Sequence, residues 1–189
     1  MTQTDDDALP WSHPLRLAEL PARKPTRFDI SPEAETRAAI AAWAGIEALE
    51  GLRLKGELTP SGRNDWRLEA AFEARVVQPC VITAEPVTTD LAEPVLRRYL
   101  ADLPEPTGDE VEMPEDDSAE PLPAVVDLAA VALEALELAL PLYPRAPGAE
   151  LGESVHAEPG VAPMTDEALR PFANLKSLLR GKTDAPGED

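Results

Sequence analysis

Between Leu52 and Val77 apolar and charged residues alternate in two runs parted by a short polar stretch, and that pattern constrains the fold more than any other stretch. In Leu52-Arg53-Leu54-Lys55-Gly56-Glu57-Leu58 the leucines fall on one side and the charges on the other. After Pro60-Ser61-Gly62-Arg63-Asn64-Asp65 the alternation resumes. Trp66, Leu68, Ala70, Phe72, Ala74 and Val76 face one way, and Arg67, Glu69, Glu73 and Arg75 face the other. Successive side chains of a strand point to opposite faces, so a period of two predicts one face on a core and one in water. The turn chemistry between the two runs makes the pair an antiparallel hairpin.

The other elements arrange themselves around it. Leu15, Leu17 and Leu20 suit a first strand, and Thr26 to Ile30 a second, with Pro21 and Pro25 punctuating the interval. Ser31-Pro32-Glu33 reads as a helix start, with the Ser31 side chain as cap and Pro32 in the first turn. That helix, 32–44, presents Ile40 and Trp43 inward and stops at Gly45 in a left-handed conformation. Val87 to Tyr99 is a third extended segment. Pro94 cannot donate to a ladder and implies an edge or a bulge there. Asp127 caps a second helix, 128–140, apolar on nearly every side and therefore expected to be buried on most of them. The predicted class is α+β: an antiparallel sheet built on the long hairpin, with two or three packed helices. It forms a single domain over 9–180 with flexible tails at 1–8 and 181–189.

Charge separates the chain into zones. His13 to Leu100 holds 12 Lys/Arg and 13 Asp/Glu, whereas 101–125 holds nine acids and no base; the net charge of the chain is −19. The stretch 103–123 is acidic, broken by proline and poor in large apolar residues, which predicts a disordered insertion. Residues 144–163 read as a second loop. So negative a chain is repelled by phosphate, and a basic protein is the more natural partner. Asp5, Asp6 and Asp7 stand where a signal peptide would be positive, and no apolar run reaches the ~20 residues needed to span a bilayer. A cytoplasmic protein without membrane contact is expected.

Three ordered stretches resemble the YceD family of large ribosomal RNA subunit accumulation proteins. The first, Val76-Val77-Gln78-Pro79-Cys80-Val81-Ile82-Thr83-Ala84-Glu85-Pro86-Val87, is similar to the family's cysteine-containing turn. The second runs from Val126-Asp127-Leu128 to Leu138-Ala139-Leu140-Pro141-Leu142-Tyr143-Pro144 and resembles its acid-capped helix ending in Leu-Ala-Leu-Pro-x-x-Pro. The third is Arg170-Pro171-Phe172-Ala173-Asn174-Leu175-Lys176. The resemblance implies a part in accumulation or processing of 23S rRNA, no enzymatic activity and no cofactor. Many members carry Cys-x-x-Cys in the turn, and some carry further His or Cys after the Leu-Pro-x-x-Pro run, a set suited to tetrahedral zinc. Here Thr83 replaces the second cysteine and Tyr143-Pro144-Arg145-Ala146 offers no soft ligand, so no metal is expected.

Cys80, the only cysteine, has no His or helix start near it in sequence and reads as a small buried residue in a tight turn. His13 and His156 have no nucleophile or carboxylate at motif spacing, so no catalytic residue is assigned. Arg53, Lys55, Arg63, Arg67 and Arg75, with Arg97 and Arg98 added from the third strand, are candidates for contact with RNA or a partner. The same residues also suit a solvated sheet face of cross-strand Arg/Glu pairs, and no aromatic lies among them to stack a base. Phe172, Leu175 and Leu178 form the apolar side of a short C-terminal segment that docks either on its own core or on a partner. The partners implied are large-subunit ribosomal or rRNA-processing proteins, with direct rRNA contact as the alternative. The oligomeric state stays open.

Overall fold

A computed structural model describes residues 9–103 and 118–152. The chain separates into two compact units, 1–149 and 150–189, and this boundary falls inside the single domain expected over 9–180. Of the second unit only 150–152 are described, so the first unit holds every element that follows. The expected tails lie outside the described residues, as does most of the 103–123 insertion.

Among the described residues the order is β1 (Pro14–Arg16), a 3-10 turn (Leu17–Glu19), β2 (Thr26–Ile30), α1 (Ala34–Trp43), β3 (Ala48–Ser61), β4 (Asp65–Pro79), β5 (Pro86–Leu100), β6 (Ala119–Pro121), β7 (Val125–Asp127) and α2 (Leu128–Ala139). The fold is α+β. β2-β3-β4-β5-β6 form one sheet, antiparallel from β2 to β5 with β6 added in parallel, and β1 pairs with β7 in a small sheet of its own. β6 lies within the stretch expected to be a loop. Three residues carry too little periodicity to be read as a strand, and its place comes from pairing with Arg98 to Leu100.

The hairpin β3–β4 forms as the alternation dictates, turning at Gly62 with φ +58°. Leu54, Leu58, Leu68, Phe72 and Val76 are fully buried on its inner side, and each such side chain contributes roughly 1.5–3 kcal/mol. Two departures shape the ladder. Glu50 is an extra residue between Leu49, opposite Val76, and Gly51, opposite Arg75; this bulge sends its carboxylate toward Arg75. Gly56 faces Ala70 so closely that a Cβ would fall on the Glu69 carbonyl oxygen and within 2.6 Å of the Ala70 Cα.

Both helices cover the inner side of the sheet: α1 packs on β3, and α2 meets β3, β4 and β5. α1 starts two residues later than the sequence predicts. Glu33 is its N-terminal boundary, Ser31 does not cap it, and the Pro32 carbonyl accepts from the Arg37 guanidinium instead. Its other end closes as expected, with Gly45 at φ +66° and the amides of Gly45 and Ile46 donating to the carbonyls of Ala42 and Ala41. Ile40 is fully buried, but Trp43 is 38% exposed rather than inward. α2 begins at the predicted cap: the Asp127 carboxylate accepts from the amides of Ala129 and Ala130. Leu128, Val131, Leu133 and Leu136 are buried, whereas Leu138 points outward at 78% exposure. The apolar content of α2 therefore exceeds its buried face.

Candidate functional site

The register of the sheet sorts the candidate bases. With Leu54, Leu68 and Phe72 facing the core, Arg53, Lys55, Arg67, Arg75 and Arg98 all point to the opposite face, which no described element covers. Arg67 and Arg98 stand directly opposite each other on β4 and β5. Arg63 sits in the hairpin turn, off the face. Arg97 points the other way. Its side chain is 19% exposed, and its guanidinium meets Glu120 of β6 at 3.2 Å and Glu134 of α2 at 2.5 Å. Arg97 thus ties β6 to α2, and the expectation that it joins the exposed arginines is corrected by the pleat: neighbours along a strand face opposite ways.

Most of the outer arginines are already engaged by carboxylates. Arg53 makes a two-pronged pair with Asp29, at 2.7 and 2.6 Å. That hydrogen bond holds the Asp29 carboxyl below its usual range and pushes Arg53 up. Arg75 donates to Glu50 at 2.8 Å and approaches Asp90 at 3.3 Å. Arg67 lies 3.0 Å from Glu69, and Arg27 lies 3.5 Å from Glu57. Across the face Arg27, Arg53, Lys55, Arg67, Arg75 and Arg98 alternate with Asp29, Glu50, Glu57, Glu69, Glu73 and Asp90, equal in number. The result is a checkerboard rather than a basic patch. Its depressions are shallow, one of about 450 Å³ between Arg53, Arg75 and Ala92 and one of about 510 Å³ between Arg27 and Lys55.

Cys80 lies at the start of a turn that closes on itself. Its amide donates to the Glu85 carbonyl, and the Ala84 amide donates to the Cys80 carbonyl. Ala84 takes φ +59°, a left-handed conformation that costs a residue with a Cβ. The thiol is 3% exposed and accepts from the amides of Ile82 and Thr83, both at 3.4 Å, and of Ala146 at 3.3 Å. The Val81 amide donates to the Pro144 carbonyl. The turn and the 144–146 segment are therefore brought together by one main-chain bond and by the Ala146 amide on the thiol. Donation from Ala146 above all, then from the Thr83 hydroxyl and the Thr83 amide, lowers the thiol to about 6 against the opposing effect of burial. The sequence reading missed these donors because amides leave no mark in residue type. Among the described residues no group of three His, Cys, Asp or Glu side chains is gathered for an ion.

A third feature lies where β5 meets α2. Glu93, Pro94, Val95, Leu96, Arg97, Ala135, Leu138 and Ala139 line a groove of about 330 Å³. β6 pairs with only the last three residues of β5, so among the described residues the strand is a sheet edge at Pro94, as that proline implies. Phe172, Leu175 and Leu178 lie outside the described residues. Among the described residues no helix is long and apolar enough to cross a membrane.

No curated protein and no solved structure matches the chain. A family model described as large ribosomal RNA subunit accumulation protein YceD matches residues 68–179. That span is more than half the chain, and it contains the cysteine turn, the acid-capped helix with its Leu-Pro-x-x-Pro end, and the Arg170–Lys176 stretch. With its cysteine turn and helix end hydrogen-bonded to each other and its motifs inside the matched span, the chain belongs to the YceD family of large ribosomal RNA subunit accumulation proteins.

Proposed function

We propose that the protein is a non-enzymatic cytoplasmic factor of ribosome biogenesis. It supports the synthesis, processing or stability of 23S rRNA by binding basic large-subunit or rRNA-processing proteins. The family match carries the process. The choice of a protein partner is supported by a net charge of −19 and by an outer sheet face whose bases are matched by acids. Phosphate binding draws its strength from cations that displace counterions, and a guanidinium already paired with a carboxylate must give up that partner first. The test is the ratio of 23S to 16S rRNA in a strain lacking the gene. A lowered ratio is expected, and an unchanged ratio removes the reading.

Arg67 and Arg98, side by side on adjacent strands, favour a second reading in which the outer face touches rRNA directly. It predicts binding to 23S fragments that falls steeply with salt and on combining Arg67→Ala with Arg75→Ala. Binding that is absent, or insensitive to salt, eliminates it.

A further inference from the structure

The edge of β5 away from β4 is paired over only its last three residues among the described residues. The Arg98 amide donates to Ser118 and the Leu100 carbonyl accepts from Leu122, so the main-chain groups of even-numbered β5 residues point away from β4. By the alternation of an antiparallel ladder, the outward N–H and C=O groups of Thr88, Asp90, Ala92 and Leu96 are then left without a strand partner among the described residues. Pro94 lies in the same row and forfeits only its N–H. Beside this edge runs the groove under α2, floored by Val95, Ala135 and Ala139 and walled by the 78% exposed Leu138.

Charge selects the occupant. The edge Thr88–Leu96 holds Asp90 and Glu93 and no base, Asp90 on the outer side with Arg75 at 3.3 Å and Glu93 in the groove. Arg97 also lines the groove and is engaged by both Glu120 and Glu134. A free edge gives affinity through main-chain hydrogen bonds, and pockets for alternate side chains give specificity. We infer that β5 captures an extended, lysine- or arginine-rich segment of a protein partner by strand addition along Thr88–Leu96. Alternate apolar side chains of that segment enter the α2 groove, and the others lie on the outer side with Asp90. This rests on the protein-partner reading above and names the surface and the chemistry it selects.

The probe is a peptide of about nine residues alternating valine and lysine, titrated onto the full-length protein by fluorescence anisotropy. Saturable binding is expected, together with loss of about tenfold or more in affinity on Leu138→Arg and on Ala92→Pro. The first substitution is on an exposed position. The second removes an N–H that points away from β4, and circular dichroism of both variants verifies the fold. A peptide of the same composition with its valines and lysines in separate blocks should bind at least about tenfold more weakly. Equal binding of the two peptides, no binding at all, or indifference to both substitutions overturns the inference. So does a dimer that Ala92→Pro dissociates, because the edge would then belong to a second copy of the chain. The 23S to 16S ratio in the deletion strain is read separately. A lowered ratio with no peptide binding refutes this surface alone, whereas an unchanged ratio refutes the biogenesis reading whatever the peptide does.

Discussion

At Cys80 a residue type that reads as inert packing becomes an acceptor for three amides. The nearest of them in space, that of Ala146, is 66 positions away in sequence. A thiolate accepts such bonds far better than a thiol, which is why the group falls from its ordinary 9.0 to about 6. A depressed folded value stabilises the protein fully above the unfolded pKa. The contribution shrinks as pH falls from about 9 toward 6 and is gone below. The stability difference between wild type and Cys80→Ala, from urea unfolding at a series of pH values, should therefore widen from pH 6 to pH 9. A constant difference would show that the sulfur only packs. Gly56 is a second position where the residue decides. Alanine there meets the Glu69 carbonyl and Ala70, and overpacking of this kind costs about 1–3 kcal/mol. Gly51→Ala is the control, since nothing lies within 4 Å of its Cβ position, and it should melt close to wild type.

Among the elements, α2 depends on one carboxylate that does two jobs. Asp127 accepts from the amides of Ala129 and Ala130, and also from the Ser12 hydroxyl at 2.6 Å and the His13 amide at 2.8 Å. It caps the helix and fastens the segment leading into β1. Burial pushes its carboxyl up, but these four donors hold it below the usual range. Asp127→Ala should cost about 1–3 kcal/mol at neutral pH in urea unfolding. The contribution is present above the ordinary carboxylate range and is lost as pH falls through the lower folded value. The cap itself was legible, because an aspartate before a long apolar run has few other roles. The use of the same side chain by Ser12 was not, since nothing local ties positions 115 apart. The long strands β3, β4 and β5 were legible for the same reason that β6 and β7 were not: periodicity needs length to be seen. The first strand expected over Leu15–Leu20 shortens to β1 at Pro14–Arg16 because Leu17–Glu19 turn as a 3-10 helix. α2 misled in one respect, because Leu138 continues the apolar pattern past the end of the buried face.

For the molecule as a whole the deciding quantity is the arrangement of charge rather than its sum. The sequence placed seven bases together as a candidate patch. The pleat removes Arg97 to the inner side, the turn carries Arg63 away, and carboxylates engage Arg53, Arg67 and Arg75. A strain whose only copy carries both Arg67→Ala and Arg75→Ala should keep the wild-type 23S to 16S ratio. Exposed pairs of this kind contribute roughly 0.2–1 kcal/mol each, too little to unfold the domain. A ratio as low as in the deletion strain would return the outer face to RNA. The pairing of β1 with β7 has a further consequence, which concerns the order in which the molecule is made. Pro14 lies opposite Asp127, more than a hundred residues later. At about 5–20 residues per second, a ribosome delivers that partner on the order of 10 seconds after β1 has been synthesised. The β3–β4 hairpin needs only its own local turn and can form in the meantime. During its own birth the chain can therefore hold a formed hairpin while its first strand still waits for β7, and the small sheet cannot close before β7 is made.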